Sequence, residues 1–145
     1  MYDGAVPPKR KPTRPSLKVF QIGNLGPPHS TENHLRDALI SRGHFVVSIQ
    51  ESNRDLWRIL GSCAWNHFGG RPDMIVWTRT GWPWGSGGEF GSEPPEAVHA
   101  DQIRMLQAAD DAGVPVVGYH LDIWWGLARE TEIETEPFFR VPLLV

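Results

Sequence analysis

Short apolar runs alternate along this chain with segments in which apolar residues recur at helical spacing. Residues 18–22 (KVFQI) and 45–50 (FVVSIQ) have the length and composition of buried strands. Between them, apolar residues recur every three or four positions over residues 32–42, which predicts a helix that ends at Gly43. A strand, a helix and a second strand within about 33 residues have the length of a βαβ unit.

The same pattern then repeats along the chain. It predicts a helix over 55–67, a strand over 73–78, a helix over 95–112, a strand over 114–119 and the start of a fifth strand over 142–145. Crossovers between such strands are almost always right-handed and make the strands parallel. The pattern therefore predicts an α/β fold, a three-layer sandwich with a mostly parallel sheet of about five strands.

Composition narrows the class of protein. Residues 1–16 are rich in Pro, Lys and Arg and predict a disordered basic arm, which leaves 17–145 as one domain. The net charge of -3 argues against a general nucleic-acid binder. No apolar run approaches the roughly 20 residues that span a bilayer, and a single cysteine indicates a reducing compartment, so a cytoplasmic protein is expected. That cysteine, Cys63, falls on the apolar face of the predicted second helix, where we expect it to be buried and inert.

Polar and aromatic residues directly follow the fourth predicted strand. Residues 114–130 read VPVVGYHLDIWWGLARE, so His120 and Asp122 alternate at the strand end, with Trp124 and Arg129 soon after. Ligands bind at the carboxyl ends of the strands in open α/β sheets. An imidazole there can act as an acid, a base or a donor to a bound hydroxyl, which makes His120 and Asp122 the candidate catalytic residues. The alternative is a histidine that is only hydrogen-bonded.

A glycine-containing loop follows the first predicted strand. Residues 23–31 read GNLGPPHST and lead to a helix N-terminus, where free N–H groups and the helix dipole favour an anion. The spacing is neither the GxGxxG of dinucleotide binding nor a P-loop, and a tight turn explains it equally well. Ser30 or Thr31 is placed to cap the helix. With Trp124 and Arg129, the candidate substrate-binding residues here are Gly23, Asn24, Gly26, His29 and Ser30.

Tryptophan is unusually frequent, with 7 in the chain, which indicates a large aromatic core or a surface for flat ligands. Three that fall within predicted elements are expected in the core: Trp57, Trp65 and Trp77. Trp82 and Trp84 belong to a long loop rich in Gly and Pro, where they either stack on a substrate or pin the loop to the body. His29 and His34 have no evident third ligand nearby, so no metal site is expected.

These motifs resemble a known family. The residues VFQIGNLGPPHSTENHL followed by SRGHFVV resemble the opening of GT-B glycosyltransferases of the family 4-like kind. PDMIVW and AGVPVVGYHLD match later strands of the same N-terminal, Rossmann-like half, and HLDIWWGLARE with EPFF is similar to glycosyltransferases of this kind encoded by phages of actinobacteria. The resemblance covers residues 17–140.

The resemblance implies transfer of a sugar to an acceptor in a cleft between two Rossmann-like domains. The nucleotide-sugar donor is then a substrate, and no separate cofactor is implied. By position, Gly23 and Gly26 match the family's loop that approaches the donor phosphates and the reacting sugar, and His120 matches a histidine near the transferred sugar. Loops of the first half, here with Trp82 and Trp84, would contact the acceptor. The family's nucleotide-binding half has no counterpart in this sequence.

Three interpretations stay open. The leading one is the acceptor-side half of a longer or split glycosyltransferase, inactive alone and completed by a C-terminal half. The second is a non-enzymatic interaction module that associates with itself or a partner through the edge at residues 141–145. The third is a small α/β enzyme that binds a nucleotide at residues 23–30 and acts through His120.

Overall fold

The computed structural model describes residues 14–79, 95–120 and 139–144. In chain order its elements are β1 (Lys18–Gly23), α1 (Thr31–Ser41), β2 (Phe45–Gln50), α2 (Arg54–Gly61), a 3₁₀ helix η1 (Trp65–Phe68), β3 (Met74–Arg79), α3 (Pro95–Asp111), β4 (Val116–His120) and β5 (Phe139–Leu144). The three predicted helices and the first four predicted strands are therefore present, although α2 has different bounds.

The sheet is parallel, with the first strand of the chain at its centre. Strands β1 to β4 lie in the order β2-β1-β3-β4, and β5 pairs in parallel with the outer side of β4. In this register Ile22 of β1 pairs with Ile49 of β2 and Trp77 of β3. The predicted α/β, Rossmann-like fold with a mostly parallel sheet is confirmed.

Helices cover both faces of the sheet, which makes three layers. Gln21 of β1 points towards α1, because its Nε2 donates to the backbone oxygen of Glu32 at 2.6 Å. Phe20 and Ile22 belong instead to the core cluster that contains residues of α2 and α3. As a central strand covered on both faces, β1 is buried from Val19 to its end.

Between the sheet and the pair α2 and α3, the core is aromatic. Trp57 and Trp77 are each 1% exposed, and their ring centroids lie 4.9 Å apart. Trp65 packs against Phe20 with a centroid distance of 6.0 Å. Aromatic side chains of this kind each bury roughly 150–250 Å² and dominate the energetics of a core. The prediction that Trp57, Trp65 and Trp77 lie in the core is confirmed.

The second helix is shorter than predicted, and this changes the position of Cys63. Helix α2 ends at Gly61, against which α3 packs closely: a Cβ on Gly61 would lie 3.3 Å from Cβ of Arg104. The chain then turns through Cys63, which has a φ of 55° and is exposed. The prediction that Cys63 is buried is wrong, because this residue lies beyond the helix whose apolar face it was assigned to. That Cys63 is inert stays a prediction.

The predicted basic arm, residues 1–16, falls only partly within the described residues. Residues 1–13 of the predicted arm lie outside the described residues. Among the residues that follow them, Ser16 Oγ donates to the backbone oxygen of Gly43 at 2.6 Å.

No helix in the described part of the chain is long and apolar enough to cross a lipid bilayer.

Candidate functional site

The carboxyl ends of the strands define the candidate site. In the order β2-β1-β3-β4, the connection from β1 runs towards one edge of the sheet and the connection from β2 runs back past β1 to β3. The helices that follow β1 and β3, namely α1 and α3, therefore lie on opposite faces of the sheet, which leaves a crevice between the carboxyl ends of β1 and β3. This topological switch point is where open α/β sheets bind ligands.

The loop after β1, residues 24–30, is held in place by a side chain from β2. Gln50 accepts a hydrogen bond from the backbone N–H of Leu25 at 2.8 Å. Its Nε2 donates to Asn24 Oδ1 at 3.1 Å and to Ser52 Oγ at 3.2 Å. One half-buried amide thus ties two loops at the carboxyl edge to each other, so the loop after β1 has a defined conformation.

A second side chain, from α1, closes the same loop. Asn33 donates through Nδ2 to the backbone oxygens of Leu25 at 3.1 Å and Pro27 at 2.8 Å. Its backbone N–H donates to Ser30 Oγ at 3.2 Å, so Ser30 is the N-cap of α1. The loop ends as a capped helix start whose tip, at Gly26 and His29, is exposed to solvent.

At the end of β1, the absent side chain of Gly23 makes room for a carboxylate. A Cβ on Gly23 would lie 2.7 Å from Cγ of Glu32 and 3.4 Å from Cβ of Thr78. Glu32 belongs to the first turn of α1 and is 3% exposed, and Thr78 of β3 is fully buried. Glu32 and Thr78 therefore meet in the crevice between β1 and β3, on the α1 side of the sheet.

A groove adjoins this point on the same side of the sheet. It has a volume of about 490 Å³ and lies between α1 and strands β3 and β4. Its walls are mostly apolar and include Leu35, Leu39, Met74, Val76 and Val117. Thr31, which precedes Glu32, also lines it, and Val76 lies two residues from Thr78 on the same strand. The groove therefore lies next to the switch point, on the side of the sheet that α1 covers.

The opposite side of the same edge carries a second buried carboxylate with indole partners. Glu51, directly after β2, is 1% exposed and accepts a hydrogen bond from Trp77 Nε1 at 3.0 Å. Its backbone oxygen accepts from Trp57 Nε1 at 2.8 Å, and its backbone N–H donates to the oxygen of Gly23 at 2.9 Å. Glu51 thus joins the edge of the sheet to the aromatic core, which is a structural role.

Charged residues connect α2 to α3 behind this edge. Asp101 of α3 is 4% exposed and accepts from Arg54 Nε at 3.1 Å and from Arg104 Nη1 at 2.7 Å. Arg58 Nε lies 3.6 Å from the same carboxylate. A buried carboxylate that contacts guanidinium groups from both helices links α2 to α3, and its removal would take an ion-pair partner from Arg54, the least exposed of the three arginines.

The predicted substrate-binding residues of the first loop have three different positions. Gly23 ends β1 within the crevice, and Asn24 faces Gln50 of β2. Gly26 and His29 lie at the exposed tip, and Ser30 is engaged in capping. The loop stays a candidate binding element, with Ser30 supporting the helix rather than offering its hydroxyl.

The second group of predicted site residues is only partly described. His120 is the last residue of β4 and pairs in register with Arg79 of β3, so its backbone lies at the carboxyl edge as predicted. The other predicted residues, Asp122, Trp82, Trp84, Trp124 and Arg129, lie outside the described residues. Their assignment as site residues stays a prediction.

Three residues at the switch point were missed by the sequence analysis: Glu32, Asn33 and Thr78. Each carries a signal that could have been used. Glu32 is an acidic residue in the first turn of the helix that follows the loop, and Asn33 stands three positions after a predicted cap. Thr78 is a polar residue near the end of an otherwise apolar strand.

Comparisons of the chain with known proteins found no match. No family model matches the chain, and neither the curated proteins nor the solved structures include a significant match to it. Within the described ranges, no group of three or more His, Cys, Asp and Glu residues could hold a metal ion.

Proposed function

We propose that this chain is the acceptor-side half of a GT-B-like glycosyltransferase and presents one wall of a sugar-binding cleft at the carboxyl edge of its sheet. Two observations support the proposal. The sequence resembles the N-terminal half of such enzymes, and the fold is the α/β parallel sheet that the resemblance requires. The donor nucleotide would be held by a second Rossmann-like half.

The observation that carries the proposal is the braced loop after β1. The backbone N–H of Leu25 donates to the side chain of Gln50 on β2, and the backbone oxygen of Leu25 accepts from the side chain of Asn33 on α1. Such a loop reaches the switch point without needing to be ordered by its ligand, and preorganisation of this kind lowers the entropic cost of binding.

Binding by the purified chain tests this function. We would titrate ¹⁵N-labelled protein with methyl glycosides of glucose, galactose, mannose and N-acetylglucosamine, and separately with UDP-glucose and GDP-mannose. We expect at least one glycoside to shift the amide signals of residues 23–30 with an affinity in the millimolar range, and much weaker effects from the nucleotides. No response of this loop to any glycoside would contradict the proposal.

A transfer assay separates this proposal from that of a complete small enzyme. With a nucleotide sugar and the glycoside that binds, the 145-residue chain should form no product above background. Robust transfer by the chain alone would show that the second half is unnecessary. Tight nucleotide binding at residues 23–30 would favour the alternative enzyme acting through His120.

The position of β5 supports a second candidate function, that of a non-enzymatic interaction module. This strand pairs with β4 on one side and lies at the outer edge of the sheet, where backbone N–H and C=O groups can pair with another strand. An interaction module would associate through Phe139–Leu144. Sedimentation equilibrium tests this: a concentration-dependent dimer that Val141→Pro abolishes supports it, and a monomer at all concentrations contradicts self-association.

A further inference from the structure

Two buried polar groups on the α1 side of the sheet lack hydrogen-bond partners. They are Gln21 Oε1 on β1 and Thr78 Oγ1 on β3, and both residues are fully buried. In folded proteins about nine in ten buried polar groups are hydrogen-bonded. Two unpartnered oxygens on adjacent strands, beside the switch point, therefore require an explanation.

A nearly buried carboxylate lies in the same place. Gln21 Nε2 donates to the backbone oxygen of Glu32, so this amide lies against the first turn of α1. Glu32 and Thr78 flank the space left by the absent side chain of Gly23. Among the residues that the structure describes, no side chain donates a hydrogen bond to the Glu32 carboxylate. We call Gln21, Glu32 and Thr78 the polar cluster.

The opposite face of the sheet shows what a structural carboxylate looks like in this protein. Glu51 is equally buried, but it accepts a hydrogen bond from Trp77 Nε1 at 3.0 Å. Glu32 lies at the same edge without such a donor. Beside it, the buried oxygens of Gln21 and Thr78 have no partner supplied by the fold, and an unpaired buried polar group is costly.

The chemistry of the polar cluster indicates what would complete it. A carboxylate and an amide oxygen only accept hydrogen bonds, whereas a hydroxyl both donates and accepts. One alcohol group pairs with two of the three: it donates to Glu32 or to Gln21 Oε1, and it accepts from Thr78 Oγ1. A bound phosphate would instead be repelled by Glu32, because both are negatively charged.

We propose that the polar cluster binds a sugar hydroxyl of the acceptor, with Glu32 as the principal hydrogen-bond acceptor and Thr78 as the donor. This inference rests on the proposed function and adds the residues that recognise the acceptor. The apolar groove between α1 and the sheet lies next to the cluster, because Thr31 and Val76 in its wall are close in sequence to Glu32 and Thr78.

Conservative variants test the inference in the full chain. Thr78→Val and Glu32→Gln keep the volume of each side chain but remove the hydroxyl or the charge. The control is Asp37→Asn, which removes one negative charge from the same helix at a residue whose side chain is 64% exposed. Dissociation constants for the four methyl glycosides would be measured by NMR titration, and melting temperatures by circular dichroism.

We expect Thr78→Val and Glu32→Gln each to weaken binding of the glycoside by about fivefold or more, the range of a lost hydrogen bond. Asp37→Asn should bind within about twofold of wild type, since surface ion pairs contribute little. Thr78→Val should also melt at the same or a higher temperature, because it removes an unpartnered buried hydroxyl.

The outcomes separate this inference from the proposed function. If wild type binds a glycoside and both cluster variants bind it equally well, sugar binding stands and the polar cluster is not its site. If Thr78→Val melts at a clearly lower temperature, the hydroxyl stabilises the fold and the inference is overturned. If wild type binds no glycoside, the proposed function fails and the inference fails with it.

Discussion

Substitution of Gly23 by alanine tests the close packing at the switch point. The new Cβ would lie 2.7 Å from Cγ of Glu32, well inside the 3.4 Å at which ordinary contact begins. Gly23 does not have a positive φ, so the backbone itself accepts alanine. The cost therefore comes from overpacking, about 1–3 kcal/mol of unfolding free energy. For a domain of this size that lowers the melting temperature by roughly 2–12 °C.

A control in the same loop and a double-mutant cycle make the reasoning refutable. In Gly26→Ala the new Cβ meets nothing closer than Asn24 Oδ1 at 3.5 Å, so stability should be unchanged or about 0.4–1 kcal/mol higher. Glu32→Ala removes the clashing Cγ, so Gly23→Ala should cost at least about 0.5 kcal/mol less in that background. Urea denaturation followed by circular dichroism measures each value. The packing argument would be refuted if the losses of unfolding free energy from Gly23→Ala and Glu32→Ala were additive. It would also be refuted if the Gly23→Ala protein were as stable as the Gly26→Ala protein.

Three further predictions address the cap, the indole pair and the cysteine. Ser30→Ala should lower the free energy of unfolding by about 1 kcal/mol, because it removes the acceptor for the backbone N–H of Asn33. Ser30→Asp should keep most of the stability, because a carboxylate also accepts that hydrogen bond. Equal melting temperatures for the two variants would contradict the capping role. Trp77→Phe should destabilise the fold by about 1 kcal/mol more than Trp57→Phe, because the Trp77 N–H donates to a carboxylate and the Trp57 N–H to a backbone oxygen. Chemical denaturation of the two variants measures both losses. A larger loss of stability in Trp57→Phe would contradict this prediction. Cys63 should react with a thiol reagent in native buffer at nearly the rate seen in urea, and slow native labelling would show that it is covered.

Much of the fold followed from the sequence because its strands and helices have strong, separate periodicities. The run FVVSIQ was assigned with the bounds that the structure has, since Gly43 ends the preceding helix sharply with a φ of 85°. Helix α2 was predicted too long because its apolar residues continue at helical spacing past Gly61. The helix ends at Gly61 because the chain is capped at Ser62 and turns at Cys63 with a φ of 55°, a backbone change that the spacing of apolar residues does not reveal.

The candidate site was predicted in outline and missed in detail. The pattern placed the loop after β1 and the end of β4 at one edge of the sheet, because parallel strands share a carboxyl edge. It did not reveal that Glu32 and Thr78 both lie against Gly23. These residues come from α1 and β3, and both lie near Gly23 because the chain crosses from β2 past β1 and adds β3 on the other side of β1. Contacts of this kind depend on strand order, which the spacing of residues along the chain does not give.

The central position of the first strand has a consequence for folding. β1 pairs with β2 soon after it is made, but its other side waits for β3, which begins at Met74. During synthesis at about 5–20 residues per second, the roughly 50 residues between these strands take several seconds to appear. Phe20 and Ile22 stay uncovered by β3 and α3 in that interval. The nascent chain is therefore most prone to aggregation before β3 emerges, and a delay in translation between β2 and β3 should lower the yield of folded protein.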